Sequence, residues 1–167
     1  ECDFVDEISA PLPIAVIGWL LGAPEEDWDM LFDWTNRTLG AGDPEYQVEG
    51  EDAAATSQKA QIELFQYFQK LVEDRRKNPQ DDLITTFVQA EYEGRKLNDM
   101  EVLSWCFIIV IAGNETTRNG TTGGMLAFIQ HQSELRRLQS DMGMLKGAVE
   151  EVTRWTSPII HFGRTAT

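Results

Sequence analysis

The sequence predicts a mainly α-helical fold built around one long central helix, with short β segments near its two ends. Three observations predict it. The run from Asn98 to His131 contains an unbroken apolar core, Trp105 to Ala112, and is long enough for a helix of roughly 50 Å. Apolar residues recur at helical spacing in flanking segments, such as Leu64, Phe65, Phe68, Leu71 and Val72. Proline, glycine and acidic residues stand where those segments should start and stop.

In chain order, Cys2-Asp3-Phe4-Val5 alternates weakly and reads as a short strand. Pro11 and Pro13 open a helix over Ile14 to Leu21 that Gly22 closes. Pro24 with Glu25, Glu26 and Asp27 starts the next, because acids favour the positive end of a helix. Trp28, Leu31, Phe32, Thr35 and Leu39 share its inner face, and Gly40 and Gly42 end it. A polar loop over residues 41–52 leads to a long amphipathic helix from Ala53 to Lys77. Its terminal Arg75, Arg76 and Lys77 suit the negative helix end and read as a solvated cap rather than a binding patch. Asn78-Pro79 stops it. Asp81 or Asp82 caps a short helix carrying Leu83, Ile84, Phe87 and Val88, and Glu93-Gly94-Arg95 is a turn.

Asn98 caps the central helix, with Glu101 reaching back as in a capping box. A helix apolar on every side is surrounded by protein. Directly after the apolar run come Gly113-Asn114-Glu115-Thr116-Thr117, which are poor helix formers and include a carboxylate that is expensive to bury. Two readings stay open here: two helices separated by a polar turn, or a functional site set into one helix. Beyond His131, Ser133 caps a short helix with Leu135 and Leu138 inward. Asp141 to Thr156 is the last helix, with Leu145, Ala148, Val149, Val152 and Trp155 on its face; Pro158 terminates it, and Ile159 to Thr167 is extended.

The 167 residues suit one domain, and their formal charge of −14 argues against nucleic acid or an anionic membrane as the main partner. No apolar run reaches the roughly 20 residues that span a bilayer. Cys2 and Cys106 lie far apart and form no metal-binding spacing; Cys106 reads as a small core residue, and a reducing, cytoplasmic compartment fits both. Three constellations can carry chemistry. Ala112 and Gly113 allow close approach of a flat ligand, and Glu115 beside Thr116 can relay a proton into a dry pocket. Glu151 and Arg154 are spaced to pair on one helix face. Arg164, on the extended segment, can clamp a carboxylate. Taken singly, the last two are as readily a solvated surface pair and an exposed arginine.

Together and in this order, the residues resemble the central portion of a cytochrome P-450, a haem-thiolate monooxygenase. The likeness rests on Ala112-Gly113-Asn114-Glu115-Thr116-Thr117, on Glu150-Glu151-Val152-Thr153-Arg154-Trp155-Thr156-Ser157-Pro158 and on Phe162-Gly163-Arg164-Thr165-Ala166-Thr167. Supporting matches are Cys2 to Val5 with Pro11-Leu12-Pro13, Gly22 to Asp27, and Gly94 to Leu97. The resemblance covers residues 1–167 as a single incomplete domain, from before the substrate-access helices through the Glu-x-x-Arg helix and the following strand.

The resemblance implies haem b as cofactor. Ala112 and Gly113 would lie over its distal face, and Arg164 would bind a propionate. Glu115 and Thr116 would be the acid–alcohol pair that delivers protons during dioxygen activation, and Glu151 and Arg154 a structural pair. Electrons would come from NAD(P)H through a reductase and a ferredoxin or flavodoxin. The substrate would be apolar: a sterol, a terpenoid or an alkyl chain. The family's cysteine ligand to iron lies in a loop downstream of Thr167, and neither Cys2 nor Cys106 replaces it. The chain alone is therefore expected to be inactive and loosely packed. The alternatives are a non-enzymatic acidic helical interaction module, which leaves Gly113 to Thr117 unexplained, and a peroxide-driven haem hydroxylase, which has less need of Glu115 and Thr116.

Overall fold

In a computed structural model the described residues are 1–159 with His161, Gly163 and Thr165. Their helices are α1 (Pro11–Leu21), α2 (Trp28–Leu39), α3 (Ala53–Lys77), α4 (Leu83–Gln89), α5 (Asp99–Gln130), α6 (Gln132–Ser140) and α7 (Leu145–Thr156). A two-stranded hairpin, β1 (Glu91–Tyr92) and β2 (Arg95–Lys96), precedes α5. The chain divides into two compact units inside α5: one is Leu12–Asn114, the other Glu1–Pro11 with Glu115–Thr167.

In the first unit α3 packs on α2 and on α4. Leu21, Leu31, Leu64, Phe68, Ile84, Val102, Cys106 and Val110 are the closed centre. The starts of α3 and α4 follow the capping rules. Asp52 Oδ1 accepts from Ala55 N at 2.8 Å, and Asp82 Oδ1 from Thr85 N at 2.7 Å. At α5 the capping box is reciprocal: Glu101 N donates to Asn98 Oδ1 at 3.0 Å, and Asn98 N to Glu101 Oε2 at 2.8 Å. Arg95 adds two bonds to the Glu101 carboxylate, at 2.7 and 2.6 Å. Hydrogen bonding from Arg95 and from the Asn98 amide holds the Glu101 carboxyl down at about 2. The hairpin turns through Glu93 and Gly94, both at positive φ (51° and 78°), as a two-residue turn matched to strand twist requires.

The basic triplet does more than cap α3. Arg75 is part-buried, and its Nε donates to Asp82 Oδ2 (2.5 Å), Nη1 to Asp74 Oδ2 (2.6 Å) and Nη2 to the Gly22 carbonyl (2.8 Å). It joins the ends of α1 and α3 to the start of α4. Arg76 pairs with Asp99 at the start of α5.

In the second unit α7 lies against the end of α5 at Gly123 and Gly124. A Cβ at Gly124 would come within 2.6 Å of Val152 Cγ1, and one at Gly123 within 2.7 Å of Thr156 Cγ2. Small residues here are a condition of helix contact. Ser157, in the left-handed region at φ 42°, ends α7 just before Pro158.

Several local expectations change. Residues 2–5 form no strand: Asp3 Oδ1 accepts from Val5 N and Asp6 N, and this cap starts a π-helical turn over Val5–Ser9. Leu39 is half exposed, and Trp34 takes the inner position instead. Ser133 does not cap α6, which begins at Gln132 after His131. Asp141 caps a 3-10 turn, Met142–Met144, before α7 starts. On α7 Val152 is half-buried, but Leu145, Val149 and Trp155 are about half exposed. Expectations for Arg164, and for the segment Ile159 to Thr167 at Ile160, Phe162, Ala166 and Thr167, fall outside the described residues. No described helix is long and apolar enough to cross a membrane.

Candidate functional site

The polar run after Ala112 does not break the helix. α5 runs unbroken for 32 residues from Asp99 to Gln130, about 48 Å at ~1.5 Å per residue. Each residue of the run has a separate surrounding, because successive side chains turn by about 100° around the axis.

Ala112 is exposed and continues an uncovered apolar face that includes Trp105 and Ile108. Gly113 faces α1: a Cβ there would approach Ile17 Cδ1 to 2.7 Å, so the glycine lets the two helices close. Asn114 is fully buried, and its Nδ2 donates to Thr35 Oγ1 on α2 at 2.7 Å. Its Oδ1 is buried without a hydrogen-bond partner among the described residues, a situation that costs about 1–3 kcal/mol.

Glu115 and Thr116 belong to the second unit. Both oxygens of Glu115 accept bonds from side chains one turn along α5: Oε2 from Arg118 Nη2 at 2.5 Å and Oε1 from Asn119 Nδ2 at 3.0 Å. The carboxylate is neither sealed in nor free in water, with its side chain 29% exposed. Thr116, half-buried, lines a cavity of about 490 Å³ with Thr117, Gly120, Val152, Pro158 and Ile159. Its walls are mostly apolar, its hydroxyl residues come from α5 and, at Thr153, from α7, and its volume falls within the range of small-molecule sites.

Glu151 and Arg154 form a two-pronged pair, Nε to Oε2 at 2.7 Å and Nη2 to Oε1 at 2.6 Å. Hydrogen bonding to Arg154 pulls the Glu151 carboxyl below its ordinary value, and the same bond raises the guanidinium. Both side chains are more than half exposed. A larger cavity of about 720 Å³, walled by Phe128, His131, Leu138, Met144 and Trp155, reaches Glu151. His131 meets Trp155 edge to face there, with centroids 5.8 Å apart. This cavity does not include Glu115 or Thr116.

The described residues fit one wall of a haem site and not its iron ligand. In the second unit the Thr-rimmed apolar cavity suits one edge of a flat macrocycle. Among the described residues no cluster of His, Cys, Asp and Glu could hold a metal ion. Cys106 is fully buried in the core of the first unit, and desolvation pushes its thiol up to about 12. Cys2 is exposed near the chain start.

Sequence reasoning placed Ala112, Gly113, Glu115 and Thr116 on one stretch of α5, and Glu151 with Arg154 in contact on α7. It missed Asn114 and the Gly123-Gly124 pair. The signal for Asn114 was available: an amide between a glycine and a carboxylate that follow an apolar run, opposite a threonine on the inner face of α2. Adjacent glycines inside a strong helix likewise mark a close neighbour.

A helical chain with a small-residue and acid–alcohol run in its central helix, followed by a Glu-x-x-Arg helix, defines the class of haem-thiolate oxygenases. The family model for cytochrome P450 matches residues 50–156, and the chain belongs to that family. Over 168 residues it is 39% identical to a methyl-branched lipid omega-hydroxylase of Mycobacterium tuberculosis, covering 100% of this chain and 38% of the relative. It is also 39% identical to a steroid C26-monooxygenase of the same species, over 98% of this chain and 36% of the relative. Among solved structures it is similar to the Bacillus subtilis bacillaene polyketide synthase cytochrome P450 PksS, with a TM-score of 0.84 and 38% identity over 95% of this chain and 39% of that one. Mycobacterium marinum cytochrome P450 CYP268A2, in complex with pseudoionone, gives 0.83 and 32% over 92% of this chain and 37% of that one. The chain thus spans about two-fifths of the length of the relatives it matches.

Proposed function

We propose that residues 1–167 are the central part of one larger domain, and that the complete protein is a haem-dependent monooxygenase acting on a long apolar substrate of the sterol, terpenoid or branched-alkyl type. The observation that carries the reading is the conjunction on one chain of the Ala112 to Thr116 run and the Glu151–Arg154 pair. Relatives named for a methyl-branched lipid and a steroid support the substrate class.

Bound haem would supply the activation of dioxygen, which thiolate ligation favours. This chain's residues would bind and deliver. Ala112 leaves space on the uncovered face of α5. The Thr116 hydroxyl, at the rim of its cavity, holds and passes a proton. Glu115 feeds that hydroxyl; loss of its bond from Arg118 or Asn119 frees an oxygen for the transfer. Glu151 and Arg154 brace α7. Arg164 is the candidate propionate clamp. Gly113 lets α5 close on α1, and Ala112 beside it would leave room for the macrocycle. Electrons come from NAD(P)H through a reductase and a ferredoxin or flavodoxin, in the cytoplasm, where the free thiols Cys2 and Cys106 stay reduced.

The test is the complete protein, purified with haem. Reduction under carbon monoxide should give the thiolate Soret band. Reconstitution with a redox partner should hydroxylate a methyl-branched fatty acid or a sterol. A complete protein that binds haem without that band, and oxidises neither, would refute the reading.

A further inference from the structure

We propose that the outer face of α1 is an interior surface of the complete protein, covered there by a helix of the same chain that lies outside residues 1–167. The inference rests on the reading above that residues 1–167 are part of one larger domain, and it names a face through which they join the remainder.

α1 has two apolar faces. Ile14, Ile17 and Leu21 are buried in the core of the first unit. Leu12, Val16, Trp19 and Leu20 project from the other side, and Trp19 is 69% exposed. Their spacing of four, seven and eight residues from Leu12 puts them in one stripe. No residue of α1 carries a charge, and the indole N–H of Trp19 is its one polar side-chain group. A helix apolar on every side belongs inside protein. The same unit supplies the contrast. Where α3 faces solvent it presents Lys59, Gln66, Lys70 and Glu73, with Ile62 single among them. One exposed apolar residue on a polar face needs no explanation, whereas a continuous apolar stripe marks a contact surface.

The stripe itself indicates what covers it. Leu12, Val16 and Leu20 stand four apart, a ridge of the kind that seats in the groove of a second helix. A contact between two copies would be rimmed by polar and charged groups, and α1 offers no charged one. The chain spans about two-fifths of the length of its relatives, so in a domain of that size most of the chain is still to be placed, enough to supply the covering helix. The occupant is therefore a helix with an uncharged apolar face, and Trp19 is the side chain with the most area to bury against it.

The experiment uses the complete haem protein. Hydroxyl-radical footprinting read by mass spectrometry compares oxidation of each side chain in the native and denatured protein, over a range of concentrations, with sedimentation in parallel. The expected result is a monomer in which Trp19 is oxidised many-fold more slowly than in the denatured protein at every concentration, while Tyr92 on the exposed hairpin is protected little. A photo-crosslinking side chain in place of Trp19 should join peptides outside residues 1–167. Val16→Lys should lower the melting temperature or abolish folding, and Ile62→Lys, on the polar face of α3, should leave the melt near wild type.

Trp19 oxidised as readily as Tyr92 in a monomer overturns the inference. So does protection that appears only as copies associate, a set of crosslinks confined to residues 1–167, or a Val16→Lys melt equal to that of wild type. The footprint and the crosslinks decide the matter even where Val16→Lys does not fold. A complete protein that protects and crosslinks Trp19 as expected but lacks the thiolate band refutes the monooxygenase reading alone. One that shows the band with Trp19 open to solvent refutes this inference alone.

Discussion

Arg75 Nε lies 2.5 Å from Asp82 Oδ2, and the same guanidinium donates to the Gly22 carbonyl at 2.8 Å. The Asp82 side chain is 3% exposed and that of Arg75 12%. A basic triplet that local rules assign to solvent thus supplies a buried tie among three elements. Removing one partner of such a pair leaves the other charged and unpaired. Arg75→Ala should lower unfolding free energy by about 3–5 kcal/mol in denaturant titrations. Arg75→Lys should recover only part of the loss, because an ammonium lacks the planar fork that serves Asp74, Asp82 and Gly22 at once. A surface-like change below about 0.5 kcal/mol would contradict this.

The contact of Gly124 with Val152 sets a second expectation. A methyl at Gly124 would meet Val152 Cγ1 at 2.6 Å, and valine is stiff about χ1. Gly124→Ala should therefore destabilise by about 1–3 kcal/mol, despite alanine's better helix propensity. Val152→Ala in the same molecule should relieve most of that strain. Thermal melts of the two single variants and the double variant are the measurement.

Glu101 predicts a pH dependence. Its carboxyl is lowered from the ordinary 4.5 to about 2 by Arg95 and the Asn98 amide. A lowered folded-state pKa contributes stability that is present in full above the unfolded value and is lost as pH falls through the folded one. The advantage of the native protein over Glu101→Gln should be constant above about 4.5 and shrink toward pH 2. Adding Arg95→Ala should narrow that window from its acid side. A difference independent of pH would remove the ion pair from the account.

Thr116→Ala in the complete protein tests the relay itself. NAD(P)H consumption should continue while product falls about 10²–10⁴-fold, the usual contribution of a positioned proton donor, with peroxide rising in step. Unchanged coupling would take Thr116 out of the relay.

The chain by itself offers a last check. Residues 1–167 mixed with haem should show no thiolate Soret band and no hydroxylation, because the Cys106 thiol is sealed within the core of the first unit. Alkylating reagents should modify the exposed Cys2 and spare Cys106. A thiolate band from the isolated chain would overturn this.

Local rules alone determined much of this protein. Capping pairs such as Asn98 with Glu101, helix stops such as Asn78-Pro79, and the apolar stripe Leu64, Phe68 and Val72 were legible because each depends on neighbours within one or two turns. The order of the Ala112 to Thr116 run and the Glu151–Arg154 pair was legible for the same reason, and it indicated the family. Tertiary structure decided what depends on distant partners. It kept α5 continuous through Gly113, since packing on Ile17 and the bond to Thr35 outweigh poor propensity. It drew Arg75 inward to Asp82 and Gly22, and it made Gly123 and Gly124 a seat for α7. Residue type limits what a side chain can bond to. Which atoms lie within 3 Å of it is set only when remote segments meet.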